Sequence, residues 1–97
     1  MITEKGFEFL HKAIKHNADR PQALTNGNWR DGKVQKTEVT NNSIKVFCYF
    51  EETVVGEITR YRLLGKDGNI FLEKTDTADK SGDRGLLIMF EIQIKED

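Results

Sequence analysis

A single cysteine, Cys48, occurs among the 97 residues, so no disulfide can form within the chain. It lies in an apolar run, where a thiol packs as a small hydrophobe, and this fits a reducing compartment. No window approaches the roughly 20 apolar residues of a membrane-spanning helix. The opening Met1-Ile2-Thr3-Glu4-Lys5-Gly6 has no apolar leader core, so export by the usual route is not expected. An excess of one charge is also missing. Fifteen basic residues stand against sixteen acidic, a formal net charge of -1, which excludes a global field toward nucleic acid or an anionic membrane.

Catalytic and metal-binding spacings are equally scarce. His11 and His16 are five apart, not the four that align ligands on a helix, and no Cys or His cluster completes a zinc set. Asp76, Asp79 and Asp83 do not follow the alternating pattern of a calcium loop and read as a solvated polar segment. Cys48 has no neighbouring His or basic turn to activate it. Gly65-Lys66-Asp67-Gly68-Asn69 is too short for a phosphate-binding loop and precedes a strand, so it is turn chemistry. No catalytic residue, cofactor or metal is called.

What is present is β patterning. The composition is polar, 37% hydrophobic and 32% charged, yet the apolar residues gather in alternating runs, as a folding chain requires. A chain of this size builds one core, burying roughly 60 to 70% of its unfolded surface, so residues 1–97 are read as one domain. Glu57 to Glu73 gives the clearest hairpin: two strand-favouring runs, 57–64 and 69–74, joined by an Asp-Gly turn. Ile44, Val46, Cys48 and Phe50 share one strand face, with Lys45, Phe47, Tyr49 and Glu51 on the other. Val34 to Thr40 reads as the strand before it, joined through Asn41-Asn42-Ser43. In the last strand Leu86, Ile88, Phe90, Ile92 and Ile94 point to the core. Leu87 and Met89, opposite them, are apolar enough to meet the helix or a neighbouring subunit, while Glu91, Gln93 and Lys95 complete that face.

Upstream, Thr3 is a suitable N-cap, and Phe7, Leu10, His11 and Ile14 fall on one helical face, predicting a helix over about 4–16. Residues 17–32 lose periodicity around Pro21, Asn26-Gly27 and Asp31-Gly32 and are expected to be an irregular loop. Trp29 within it is either a lid over the core, the preferred reading, or an exposed anchor for a partner. Residues 75–85 read as a mobile polar loop. The expected fold is mainly β with an N-terminal helix (α+β), an antiparallel sheet of about five strands in a sandwich or half-barrel, its strands lying within 33–95.

Arg60 and Arg62 alternate on one strand face, which Lys45 or Lys74 would join if their strands are neighbours. With Tyr49 or Tyr61 beside them, such a patch would suit single-stranded nucleic acid, although a solvated face with the arginines paired to Glu57 and Glu73 is the preferred reading. A carbohydrate site would need an exposed aromatic platform, for which Trp29 is the strong candidate.

The order of a helix opening Met-Ile-Thr-Glu-Lys-Gly, a loop with Leu24-Thr25-Asn26-Gly27, β strands, and Gly56-Glu57-Ile58-Thr59 leading to Leu63-Leu64-Gly65-Lys66-Asp67-Gly68-Asn69-Ile70 resembles the N-terminal domains of bacteriophage tail-fibre and baseplate-associated proteins. The chain departs from them in ending at Asp97 without a shaft or receptor-binding region, and in a 17–32 loop that is not proline-rich. The resemblance implies a structural, protein-binding role without cofactor or turnover, by self-association or with other assembly components. It also implies a cytoplasmic protein of the producing cell, or one associated with the virion. Membrane partners are not expected and nucleic acid is disfavoured. The candidate interaction residues are Trp29, Arg60, Tyr61, Arg62 and Met89. The alternative is a small module for carbohydrate or single-stranded nucleic acid.

Overall fold

Alternation along β4 (Ser43–Phe50) buries Ile44, Val46, Cys48 and Phe50 completely, and the architecture is built outward from that strand. The computed structural model describes residues 3–40 and 43–93. Among them, α1 (Glu4–Asn17) precedes seven strands: β1 (Ala18–Thr25), β2 (Asn28–Asp31), β3 (Lys33–Thr40), β4, β5 (Gly56–Gly65), β6 (Ile70–Lys80) and β7 (Leu86–Gln93). They form a four-stranded sheet ordered β2-β1-β5-β6 and a three-stranded sheet ordered β3-β4-β7. All neighbouring strands are antiparallel.

The sheets pack as a sandwich. Ala23, Ile58, Tyr61 and Leu63 from the larger sheet meet Val46, Cys48, Phe50, Ile88 and Phe90 from the smaller. Phe50 and Tyr61 touch across the gap, ring centroids 5.9 Å apart at 48°, the tilted geometry aromatic quadrupoles prefer. The strand count among the described residues is therefore seven, not about five: one expected loop supplies both additional strands, and a second turns out to lengthen a strand already expected.

The first correction concerns residues 17–32. Asn26 (φ 53) and Gly27 (φ 77) both take positive φ, making a two-residue turn whose twist matches paired strands, so β1 and β2 form a hairpin. Pro21 is tolerated because its carbonyl and nitrogen face the β2 side, where the β1–β2 ladder has already ended at Gln22 opposite Asp31, while its rung with Leu63 of β5 lies on the other side and needs no N–H from it. Gly32 then carries the chain from one sheet to the other, its N–H donating to the Pro21 carbonyl at 2.8 Å. A Cβ at Gly32 would stand 2.7 Å from the Phe50 ring and the Tyr49 carbonyl, so a side chain does not fit.

The second correction concerns residues 75–85. β6 continues through Thr75–Asp79 to Lys80 because backbone pairing with β5 needs no apolar side chains. Lys80 is buried, and its ammonium donates to the carbonyls of Arg84 (2.9 Å) and Ser81 (3.4 Å), gathering the turn before β7 around one cation.

The helix begins where expected, with the Thr3 hydroxyl accepting from the Gly6 N–H at 3.1 Å, and ends at Asn17. Phe7, Leu10, His11 and Ile14 are its half-buried face. His11 Nε2 shares a 2.9 Å hydrogen bond with Thr37 Oγ1, and Thr37 lies opposite the inward-pointing Val46, so α1 closes the sandwich beside β3. Ile14 packs against the core. No helix among the described residues is long and apolar enough to cross a membrane. Asn41 and Asn42 of the expected turn, and Ile94 and Lys95 of the last strand, lie outside the described residues.

Candidate functional site

The outward face of the four-stranded sheet carries an array of polar side chains, and cross-strand register assembles it. One rung sets Asp31, Gln22, Arg62 and Glu73 side by side across all four strands, and the next sets Trp29, Leu24, Arg60 and Thr75. Directly opposed residues share a face, so Trp29, Arg60 and Arg62 come together.

Within this array Arg62 is held twice. Its guanidinium lies over the Trp29 ring, 3.8 Å from the centroid, and its Nε donates to Gln22 Oε1 at 2.7 Å. Gln22 is itself buried, and its Nε2 donates to Asp31 Oδ1 at 2.7 Å. Asp31 in turn faces Arg20 at 3.8 Å. The Arg60–Glu73 pair, 3.6 Å apart, flanks the chain. Arg60 thus has the Glu73 partner expected for it. Arg62 pairs with no carboxylate within 4 Å among the described residues, while Glu57 lies opposite Asp79.

Trp29 is neither a lid over the core nor a bare anchor. It sits half-buried on β2 beneath Arg62, because the hairpin turns its side chain to the sheet's outer face. Tyr61 leaves the group: it alternates with its arginine neighbours, points inward and is 2% exposed. Burial first, and the Asp76 charge second, push its hydroxyl pKa up. Lys74 also points inward, donating to the Met89 carbonyl at 2.9 Å, and Lys45 and Tyr49 belong to the other sheet. The cationic patch that needed them does not form.

Met89 lies on the outward face of the smaller sheet, opposite Phe47. There Phe47, Tyr49 and Met89 are half-buried and Leu87 is 51% exposed. Lys36 stands 4.9 Å from the Phe47 centroid. The helix does not take this face, having docked against β3 and β1 instead.

The remaining polar groups are explained locally. Burial pushes the Cys48 thiol up to about 12, against the pull of Lys74, so it stays protonated and unreactive. Asp67 is held below the usual carboxylate range by the backbone N–H and then the side-chain amide of Asn69, which brace the β5–β6 turn. Asp83 is lowered chiefly by the Ser81 hydroxyl. No group of three or more potential ligands gathers for a metal among the described residues. A cleft of about 460 Å³ separates the end of α1 from the β5–β6 turn, lined by Ala13, Ile14, Asn17, Gly65 and Phe71 among others.

Gln22, Asp31 and Arg20 were missed as site residues because each belongs to the segment read as loop. The Asn26-Gly27 dipeptide was the signal that could have found them, since a two-residue hairpin aligns Gln22 with Asp31 and Leu24 with Trp29. The arrangement defines an antiparallel β-sandwich with a polar lattice on one outer face. No protein-family model, curated protein or solved structure matches the chain.

Proposed function

We propose that this is a non-catalytic protein-binding component that acts through the outward face of its four-stranded sheet within a larger assembly. The observation that carries the reading is the Arg62–Trp29 stack, fixed by Gln22. Tryptophan and arginine dominate the energetics of protein interfaces. A side chain immobilised before the partner arrives loses less entropy on binding. Placement in a phage or prophage tail-type assembly, in the producing cell or carried on the particle, rests on the resemblance of the helix, the β strands and the Gly56 to Ile70 stretch.

The carbohydrate and nucleic-acid readings draw less from the geometry. Arg62 already occupies the face of Trp29 that a sugar would stack on, and Tyr61 is too deep to stack on a base. The test is size exclusion coupled to light scattering, with fractionation of particles from the producing cell, for the native chain and Trp29→Ala. A defined oligomer or particle incorporation, lost in a folded Trp29→Ala variant, is the expected outcome. A strict monomer that stays out of particles and binds oligonucleotides in a salt-sensitive way overturns the reading.

A further inference from the structure

We infer that Arg62 is a preset receptor for one carboxylate, supplied by an acidic side chain of the protein partner. The inference deepens the proposed protein-binding role and rests on it. A guanidinium binds carboxylate through two parallel N–H donors, and the pairing is strongest when the plane is already fixed. The Trp29 ring fixes the plane of Arg62, and the Nε–Gln22 bond fixes rotation within it. Nε is thereby used inside the protein. The terminal Nη groups have no carboxylate within 4 Å among the described residues, and no buried side-chain nitrogen or oxygen there lacks a partner. The Nη groups are therefore bonded or open to solvent.

Charge balance selects carboxylate over a phosphate chain. On the outward face around Trp29 stand three guanidinium groups, Arg20, Arg60 and Arg62, and two carboxylates, Asp31 and Glu73, while Arg30, opposite the inward Ala23, lies on the other face. Arg20 and Arg60 face those carboxylates, so Arg62 is the single surplus cation. A nucleic-acid backbone draws its affinity from several uncompensated cations and would meet Asp31 and Glu73 at the same time. One side-chain carboxylate needs one fork. Glu57 and Asp79 oppose each other further along the strands, about 16 Å from Arg62 at the rise of an extended chain, beyond the screening length at physiological salt.

Trp29 is the chain's one tryptophan, so its emission reports on this site alone. The full chain is titrated with the blocked tripeptide acetyl-Ala-Glu-Ala-amide, its Gln counterpart, inorganic phosphate and oligo-dT. Trp29 emission and the Arg62 Nε resonance are followed together. The glutamate peptide is expected to shift both saturably in the millimolar range, and the Gln peptide to shift neither. Arg62→Gln abolishes the response, and Arg62→Lys, which keeps the charge without the fork, weakens it by roughly tenfold or more. Equal responses to the Glu and Gln peptides, an unchanged response in Arg62→Gln, or no response up to the peptide's solubility limit overturns the inference. Preferential binding of phosphate or oligo-dT overturns it in favour of phosphate chemistry. If the glutamate peptide leaves Arg62 unmoved while the native chain still oligomerises or enters particles, only the carboxylate assignment falls. If both fail, the protein-binding role falls with it.

Discussion

On the outward side of the four-stranded sheet, side chains from three strands hold one another in a chain from Trp29 through Arg62 and Gln22 to Asp31. The outward side of the three-stranded sheet instead presents Phe47, Tyr49, Met89 and Leu87, with Lys36 resting over Phe47. The inward sides are alike, each an alternation of aliphatic and aromatic residues in one core. The contrast shows which positions the fold constrains. Inward residues answer to packing, which accepts many apolar choices of similar volume. A buried glutamine hydrogen-bonded on both sides answers to geometry, since an orphaned buried amide costs about 1 to 3 kcal/mol. The larger sheet therefore spends specific polar chemistry where the smaller spends ordinary hydrophobes.

The comparison can be broken outright from within the core. Tyr61→Ala removes a side chain 2% exposed and packed against Phe50, and should cost about 3 to 5 kcal/mol of stability in denaturant titrations. Because β5 also carries Arg60 and Arg62, this loss should loosen the polar lattice before it disturbs Met89 and Phe47. Amide exchange read strand by strand would show that order, and uniform loosening of both sheets would erase the distinction.

Alkaline titration separates the interior from both faces. Burial raises the folded pKa of Cys48 from 9.0 to about 12. The unfolded thiol ionises first as pH rises, so this contribution is complete below about 9 and is lost progressively toward about 12. The expected loss is on the order of a few kcal/mol across that window. Cys48→Ala should flatten the alkaline limb relative to the native chain, whatever its cost at neutral pH. An identical limb in the two proteins would refute the assignment to Cys48.

Of these two interior positions, Cys48 was legible in the sequence as a core residue, whereas Tyr61 was named for the outer face. Alternation in Ile44 to Phe50 and Leu86 to Ile92 places residues correctly because a sheet with one buried face leaves period two as its trace. The Glu57 to Glu73 hairpin was legible for the same reason, with Gly68 at φ 83 in its turn. The β1–β2 hairpin was not. Gln22, Leu24 and Trp29 are not inward-facing apolar residues, and Pro21 argues locally against a strand. Thr75 to Lys80 failed similarly, since the end of β6 is held by backbone bonds and by one buried lysine. The candidate site was thus half legible. Arg60, Arg62 and Trp29 could be named, but which of them touch depends on a register that periodicity does not encode; Tyr61 is instead removed by period two itself, which sets it on the face opposite Arg60 and Arg62.

The passage between the sheets is a further point of leverage. Gly32→Ala would press a methyl against the Phe50 ring and the Tyr49 carbonyl, and should cost about 1 to 3 kcal/mol. Since Gly32 follows directly on Asp31, the strain should reach Gln22 and Arg62 and shift Trp29 emission. Loss of stability with Trp29 emission unchanged would show that the lattice is anchored independently of the sheet crossing.

The smallest effects sharpen the comparison most, because they probe the two faces without disturbing the core. Arg62→Ala strips the cover from Trp29 and removes the donor to Gln22 Oε1, but it also opens that oxygen to water, so a loss of about 1 kcal/mol, the low end for an orphaned amide, and a red shift in Trp29 emission are expected. Leu87→Thr alters a side chain already 51% exposed on a strand that tolerates β-branching, and should stay within about 0.5 kcal/mol of the native chain. Paired thermal melts supply the measurement. If Leu87→Thr is the costlier change, the smaller sheet's outer face is covered by a neighbour in solution, and it, not the Arg62–Trp29 lattice, is where the protein engages a partner.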